Sequence, residues 1–244
     1  MTSSEVWDEV TARRYDEDSA GMFAPEVLVP TVDVLADLAG DGAALELAVG
    51  TGRVAVPLLE RGVPVSGIEL SAAMLAELRH KVDAEALPVV VGDMATARVP
   101  GEFALVYLVF NTISNLRTQD EQVACFANAA RHLAPGGRFV IELWVPPLRR
   151  LPPGRLAAPM VVEDDYLCLD TYDPVTQRCT SHHYRTAPDG TARHDSGHFR
   201  YLWASECDLM ARLAGLELEG RYADWYRSPF TSDSESHVSV WRKP

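Results

Sequence analysis

The chain is short of positive charge: 22 Lys and Arg stand against 35 Asp and Glu over 244 residues, for a net charge of −13. A phosphate backbone is bound by a basic face that displaces counterions, so this balance argues against a nucleic-acid partner. The densest basic spots, Arg13-Arg14 and Arg149-Arg150, are only two residues long. Cysteine is scarce too. Cys125, Cys168, Cys179 and Cys207 are spread without a C-x-x-C pair, which reads as buried free thiols in a reducing compartment. No apolar run approaches the roughly eighteen residues needed to span a bilayer. The opening MTSSEVWDEV lacks the basic start and apolar core of a secretion signal, so the expectation is a cytoplasmic protein away from membranes. There is no Gly-Lys-Ser/Thr phosphate loop and no G-x-S-x-G elbow, which sets aside P-loop and serine-hydrolase chemistry.

What is present centres on Ala44 to Ser71. An apolar run from Ala44 to Val49, broken by Glu46, leads into Gly50 and Gly52. Arg53 to Arg61 then has helical spacing, Gly62 stops it, and Val63 to Ile68 reads as a second strand ending in Glu69. This is a β–loop–α–β unit. Its glycines admit a close-lying ligand, its helix start offers free N–H groups, and its terminal acid suits two ribose hydroxyls. Gly50-Thr51-Gly52-Arg53-Val54-Ala55 also fits the dinucleotide fingerprint, so an NAD(P)-dependent oxidoreductase is a rival reading. Glu46 weighs against it. A carboxylate four residues before the first glycine repels a pyrophosphate and suits a cationic ligand.

The motifs Glu46-Leu-Ala-Val-Gly50-Thr-Gly52-Arg53, Gly67-Ile-Glu69-Leu70-Ser71 with Met74, Gly92-Asp93-Met94 and Leu133-Ala-Pro-Gly136-Gly137 resemble those of class I S-adenosylmethionine-dependent methyltransferases. The likeness is close over Gly40 to Val145, looser over Tyr201 to Trp241, and nearest to the sugar-amine N-methyltransferases. It implies a doubly wound α/β fold: a seven-stranded, mostly parallel Rossmann-like sheet with the last strand antiparallel. It implies S-adenosyl-L-methionine as cofactor, held by Glu46, Ala48, Gly50, Thr51, Gly52, Arg53, Glu69, Leu70, Met74, Asp93, Met94, Phe110 and Asn111. The acceptor is then a small molecule, methylated on N or O by a monomer or homodimer. A non-catalytic binder of the same cofactor remains an alternative.

The rest of the chain fits around that unit. Ser3 to Asp18 reads as a short amphipathic helix, and Tyr15-Asp16 resembles a pair that closes over the cofactor in similar enzymes. Helices are expected at Pro30–Leu38, Ser71–Val82, Thr118–Leu133 and Ser205–Ala214; strands at Leu87–Val91, Phe103–Phe110 and Arg138–Val145. Glu142 inside that last strand must be partnered or face a cavity. Met160–Tyr172, Gln177–Thr186 and Thr191–Trp203 read as a β meander after the fifth strand. The domains are therefore 1–145 with 204–244 for the cofactor, and 146–203 as an antiparallel cap over the acceptor. In the cap, His182 and His183 are candidate bases for a hydroxyl acceptor. Strand alternation lets only one of them line a pocket. A metal site is not expected.

Overall fold

The computed structural model describes residues 7–244, so the expected helical residues Ser3 to Val6 lie outside it. The first helix, α1, runs Glu9–Asp18, with Asp8 accepting the Thr11 N–H as its cap. The second, α2, spans Pro25–Ala39, a turn and a half earlier than the sequence predicts. Pro30 argues against that start, because it cannot donate to the Glu26 carbonyl one turn back. The Tyr226 hydroxyl supplies the missing donor at 3.0 Å, so a tertiary contact repairs the helix.

Seven strands form the central sheet: β1 Ala44–Leu47, β2 Val65–Glu69, β3 Val89–Val91, β4 Phe103–Leu108, β5 Leu133–Trp144, β10 Glu217–Tyr222 and β11 Ser236–Arg242. Their order is β10-β11-β5-β4-β1-β2-β3, parallel except for β11, which runs antiparallel to both neighbours. Helices α3 (Ala55–Glu60) and α4 (Ala72–Arg79) join α2 on one face. The other face carries α5 (Gln119–His132) and α6 (Ala204–Leu213). Strand alternation explains the two cores. Leu45 and Leu47 of β1 face the α5 side, where Phe126, Phe139 and Trp241 interlock, while Ala44 faces α2. A capping box between Thr118 and Glu121 starts α5.

Between β5 and α6 the chain leaves the sheet and builds a second, antiparallel one: β6 Ala157–Val162, β7 Tyr166–Asp173, β8 Arg178–Thr186 and β9 Ala192–Arg200, in that order. The expected single strand over Met160–Tyr172 is thus two. Glu163-Asp164-Asp165 breaks it into a hairpin, closed by the Glu163 N–H bonding the Tyr166 carbonyl at 2.9 Å. Three adjacent acids gain nothing from a packed ladder, and the turn exposes them. This sheet faces the C-terminal ends of the parallel strands, where open α/β sheets bind ligands. Among the described residues no helix is long and apolar enough to cross a membrane.

Candidate active site

The turn after β1 holds Ala48, Gly50 and Gly52 at φ 59°, 57° and 85°. Glu69, at the tip of β2, reaches across and anchors it: one carboxylate oxygen accepts the Gly50 N–H at 2.8 Å, the other the Ser71 N–H at 2.7 Å. Burial pushes this carboxyl above its ordinary value, and those two N–H groups pull it back. Each oxygen keeps a second lone pair for a ligand hydroxyl. Gly52 has a different reason to be glycine. A Cβ there would lie 2.3 Å from Leu78 Cδ1, so the residue lets α4 pack against the turn and does not line the groove.

The groove beside this turn is walled by Trp7, Tyr15, Ala48, Gly50, Glu69, Leu70, Met74, Gly92, Asp93, Met94, Thr112 and Asn115. Seven residues expected from the sequence to hold the cofactor therefore meet here: Ala48, Gly50, Glu69, Leu70, Met74, Asp93 and Met94. Asp93 also bonds the Ala95 N–H at 2.8 Å and so shapes its own loop. Glu46 lies beneath the turn, 4% exposed, and accepts the hydroxyl of its register neighbour Tyr107 at 2.9 Å. Burial raises its pKa to about 8, against the pull of the Tyr107 hydrogen bond and of Arg53. No Lys or Arg is among the described groove residues, which fits a phosphate-free cationic cofactor better than a diphosphate.

Helix α1 closes the groove as a strap. Thr51 Oγ1 donates to Asp16 at 2.6 Å, Lys81 bonds both Asp16 and the Thr51 carbonyl, and Ser71 Oγ donates to the Trp7 carbonyl at 2.6 Å. Trp7 meets Tyr15 edge-on at 5.4 Å. Arg53 donates to the Met22 carbonyl at 3.3 Å and lies over the Phe110 ring at 5.5 Å.

Trp7, Tyr15, Thr112 and Asn115 also wall a larger cavity of about 640 Å³ between the strand ends and the second sheet. Phe110 and Asn111 enter it in left-handed backbone, at φ 55° and 57°, a conformation costing roughly 1–3 kcal/mol per residue. Glu142 of β5 holds them there. Its carboxylate accepts the Phe110 N–H at 2.8 Å and the Trp225 indole N–H at 2.7 Å, and its carbonyl accepts the Asn111 N–H at 3.1 Å. That resolves the acid inside a strand: it is partnered, and it aims Phe110 and Asn111, just beyond β4.

The cap lines the cavity by alternation: Cys168, Asp170 and Tyr172 on β7, Cys179, Ser181 and His183 on β8. His183 faces the cavity, with Nδ1 2.7 Å from the Tyr166 hydroxyl, and burial pushes its pKa down. His182 faces the opposite side, where it stacks on His194 at 5.5 Å. Asp170 went unnoticed in the sequence. It is 8% exposed and accepts hydrogen bonds from Ser181 Oγ and Tyr172 Oη. A period-2 reading of Cys168-x-Asp170-x-Tyr172 against His183 would have found it.

Residues 44–137 match the family described as "Methyltransferase domain". The chain is 27% identical over 245 residues to the cypemycin N-terminal methyltransferase of Streptomyces sp, covering 98% of each protein. It is 30% identical over 181 residues, 72% of this chain and 70% of the relative, to the dTDP-3-amino-3,6-dideoxy-alpha-D-glucopyranose N,N-dimethyltransferase of Streptomyces fradiae. The solved CcbJ methyltransferase from Streptomyces caelestis superposes with a TM-score of 0.84 at 36% identity, over 97% of this chain and 99% of that one.

Proposed function

The chain belongs to the class I S-adenosylmethionine-dependent methyltransferases, and from that membership we propose that it methylates an amine nitrogen of a small molecule held in the 640 Å³ cavity. The carrying observation is the shared wall: Trp7, Tyr15, Thr112 and Asn115 border both the groove and the cavity, so a molecule in one meets a molecule in the other. The names of the relatives, an N-terminal methyltransferase and an N,N-dimethyltransferase, support nitrogen over oxygen.

S-adenosylmethionine, when bound, supplies an electrophilic methyl carbon on a positively charged sulfur. In this reading Glu69 receives the ribose hydroxyls, Asp93 and Met94 border the adenine, Met74, Leu70 and Ala48 pack along the groove, and the Gly50 turn admits the cofactor backbone. Glu46, Thr51, Gly52 and Arg53 support the turn from behind. Phe110 and Asn111 aim the acceptor. Its nitrogen lone pair forms the N–C bond as the S–C bond breaks, and the nitrogen gives up a proton. In the tautomer in which Nδ1–H donates to the Tyr166 hydroxyl, His183 Nε2 is a bare acceptor able to take that proton. Positioning and the exclusion of water by α1 carry most of the rate. His182 has no part in this reading.

The test is methyl transfer from labelled cofactor to a panel of small amines and matched alcohols. Turnover with amines alone is expected. Turnover with alcohols alone would overturn the nitrogen assignment.

A further inference from the structure

The cavity carries a charge pattern that narrows the acceptor, granted the amine-methylating reading above. Its ionisable lining is Asp18, Asp170, His183, three tyrosines and two cysteines, and no Lys or Arg is among the described residues that wall it. Asp18 sits at the rim and already pairs with Arg14 at 3.1 Å. Asp170 differs. It is buried under the cap, and its hydrogen bonds come from two hydroxyls, Ser181 and Tyr172, which orient a carboxylate without neutralising it. The Cys179 thiol also bonds this carboxylate, so three of its four lone-pair sites are used and one is left to accept from a ligand. A buried carboxylate held this way is costly until a cation arrives.

The arginines close to the cavity are turned to other tasks. Arg185, whose charge reaches His183 and Cys168, lies over the Tyr166 ring at 4.5 Å, and Arg53 bonds the Met22 carbonyl. A diphosphate carries two or more negative charges and is normally received by Arg, Lys or a ring of N–H groups. Here it would meet Asp170 in a low-dielectric space, where like charges repel strongly. The remaining wall is mostly apolar and aromatic, with Trp144 52% and Met160 50% exposed, and its other polar groups, such as Asn111, Thr112 and Asn115, are uncharged.

We propose that Asp170 anchors a positively charged amine of the acceptor, and that this acceptor is a phosphate-free amine with an apolar body, in contrast to the nucleotide-linked amino sugar in the name of the Streptomyces fradiae relative. Ser181 and Tyr172 fix the carboxylate, the apolar body lies along Phe199, Trp144 and Met160, and the bound ammonium gives a proton to His183, on the same wall, before its freed lone pair takes the methyl.

The test uses the full chain saturated with S-adenosylhomocysteine. Probes are phenethylamine, cyclohexylamine and methyl 3-amino-3-deoxyglucoside, each beside its N-acetyl counterpart, together with dTDP-3-amino-3,6-dideoxyglucose. Calorimetry should show each amine binding at least about tenfold tighter than its uncharged counterpart, and tighter than the nucleotide sugar. Asp170→Asn should erase that preference, with a loss of about thirtyfold in amine affinity and a rise in KM larger than the fall in kcat, while S-adenosylhomocysteine affinity holds. The amine-to-amide comparison needs no variant, so it decides the matter even where Asp170→Asn does not fold. The proposal is overturned by tighter binding of the nucleotide sugar, by equal binding of amine and amide, or by a charge preference that survives Asp170→Asn. Methyl transfer to the nucleotide sugar alone would sink the anchor and spare the N-methylation reading. Amines that bind through Asp170 and are never methylated would do the reverse.

Discussion

Replacing Glu69 by Gln separates the architecture of the cofactor groove from its chemistry. The carboxylate accepts two N–H groups, from Gly50 at 2.8 Å and Ser71 at 2.7 Å, and is only 5% exposed. Glutamine fills the same space but has one acceptor oxygen, so its NH₂ must face one of those two donors. A charge-assisted hydrogen bond is worth about 1.5–3 kcal/mol, and one is lost outright. For a chain of this size that corresponds to a melting temperature lower by roughly 3–10 °C. The ribose hydroxyls lose charged acceptors as well, which adds about 1.5–3 kcal/mol, or ten- to 150-fold, to the dissociation constant of S-adenosylmethionine. Differential scanning fluorimetry reads the first effect on the free protein, and calorimetry reads the second below the lowered melting point. A variant that melts like the parent, or one that melts low and binds normally, refutes one or the other half of this reasoning. Asp93→Ala, which removes the bond to the Ala95 N–H and leaves the Gly50 turn untouched, should cost less on both scales.

Three further outcomes are expected. His237 is buried beside Ser239 and Phe230, and burial drives its pKa from 6.5 down to about 4, so the folded state keeps it neutral while the unfolded chain protonates. Stability should be full above pH 6.5 and fall by up to about 3 kcal/mol as pH drops toward 4, a loss that His237→Gln should remove from urea titrations. Gly52→Val should destabilise by about 3 kcal/mol or more, because the new side chain meets Leu78; a native melting curve with cofactor binding lost would show that the groove, not the packing, requires glycine. Asp16→Ala should free α1: amide exchange over Glu9–Asp18 should quicken while β4 stays protected, and cofactor affinity should weaken about threefold, since the Lys81 pair is half exposed.

The glycine turn, its helix and the acid of β2 were legible because each is a local demand: φ above zero, helical spacing, and a strand that ends in Glu69. Strand period limited the cavity to one of His182 and His183, and the fold shows that it is His183. What escaped was set by contacts far apart in sequence. Pro30 reads as a helix boundary until Tyr226, nearly two hundred residues on, supplies a hydroxyl. Gly52 reads as a ligand-approach glycine until Leu78 is seen above it. Asp170 looked like one acid among 35, and only the fold shows that it is buried in a cavity with no Lys or Arg among the described residues of its wall. Phe110 has a side chain that ordinarily avoids left-handed backbone, and nothing near it reveals that Glu142 will hold it there.

The strap across the groove has a thermodynamic consequence. Since Trp7 and Tyr15 border both compartments, whatever fills one side acts on the position of α1, and through it on the other. The coupling free energy belongs to the pair of ligands jointly. If cofactor tightens the acceptor by some factor, the acceptor must tighten the cofactor by that same factor. Helix α1 is therefore a term in the binding of both substrates, and a variant that loosens it should lower both affinities together.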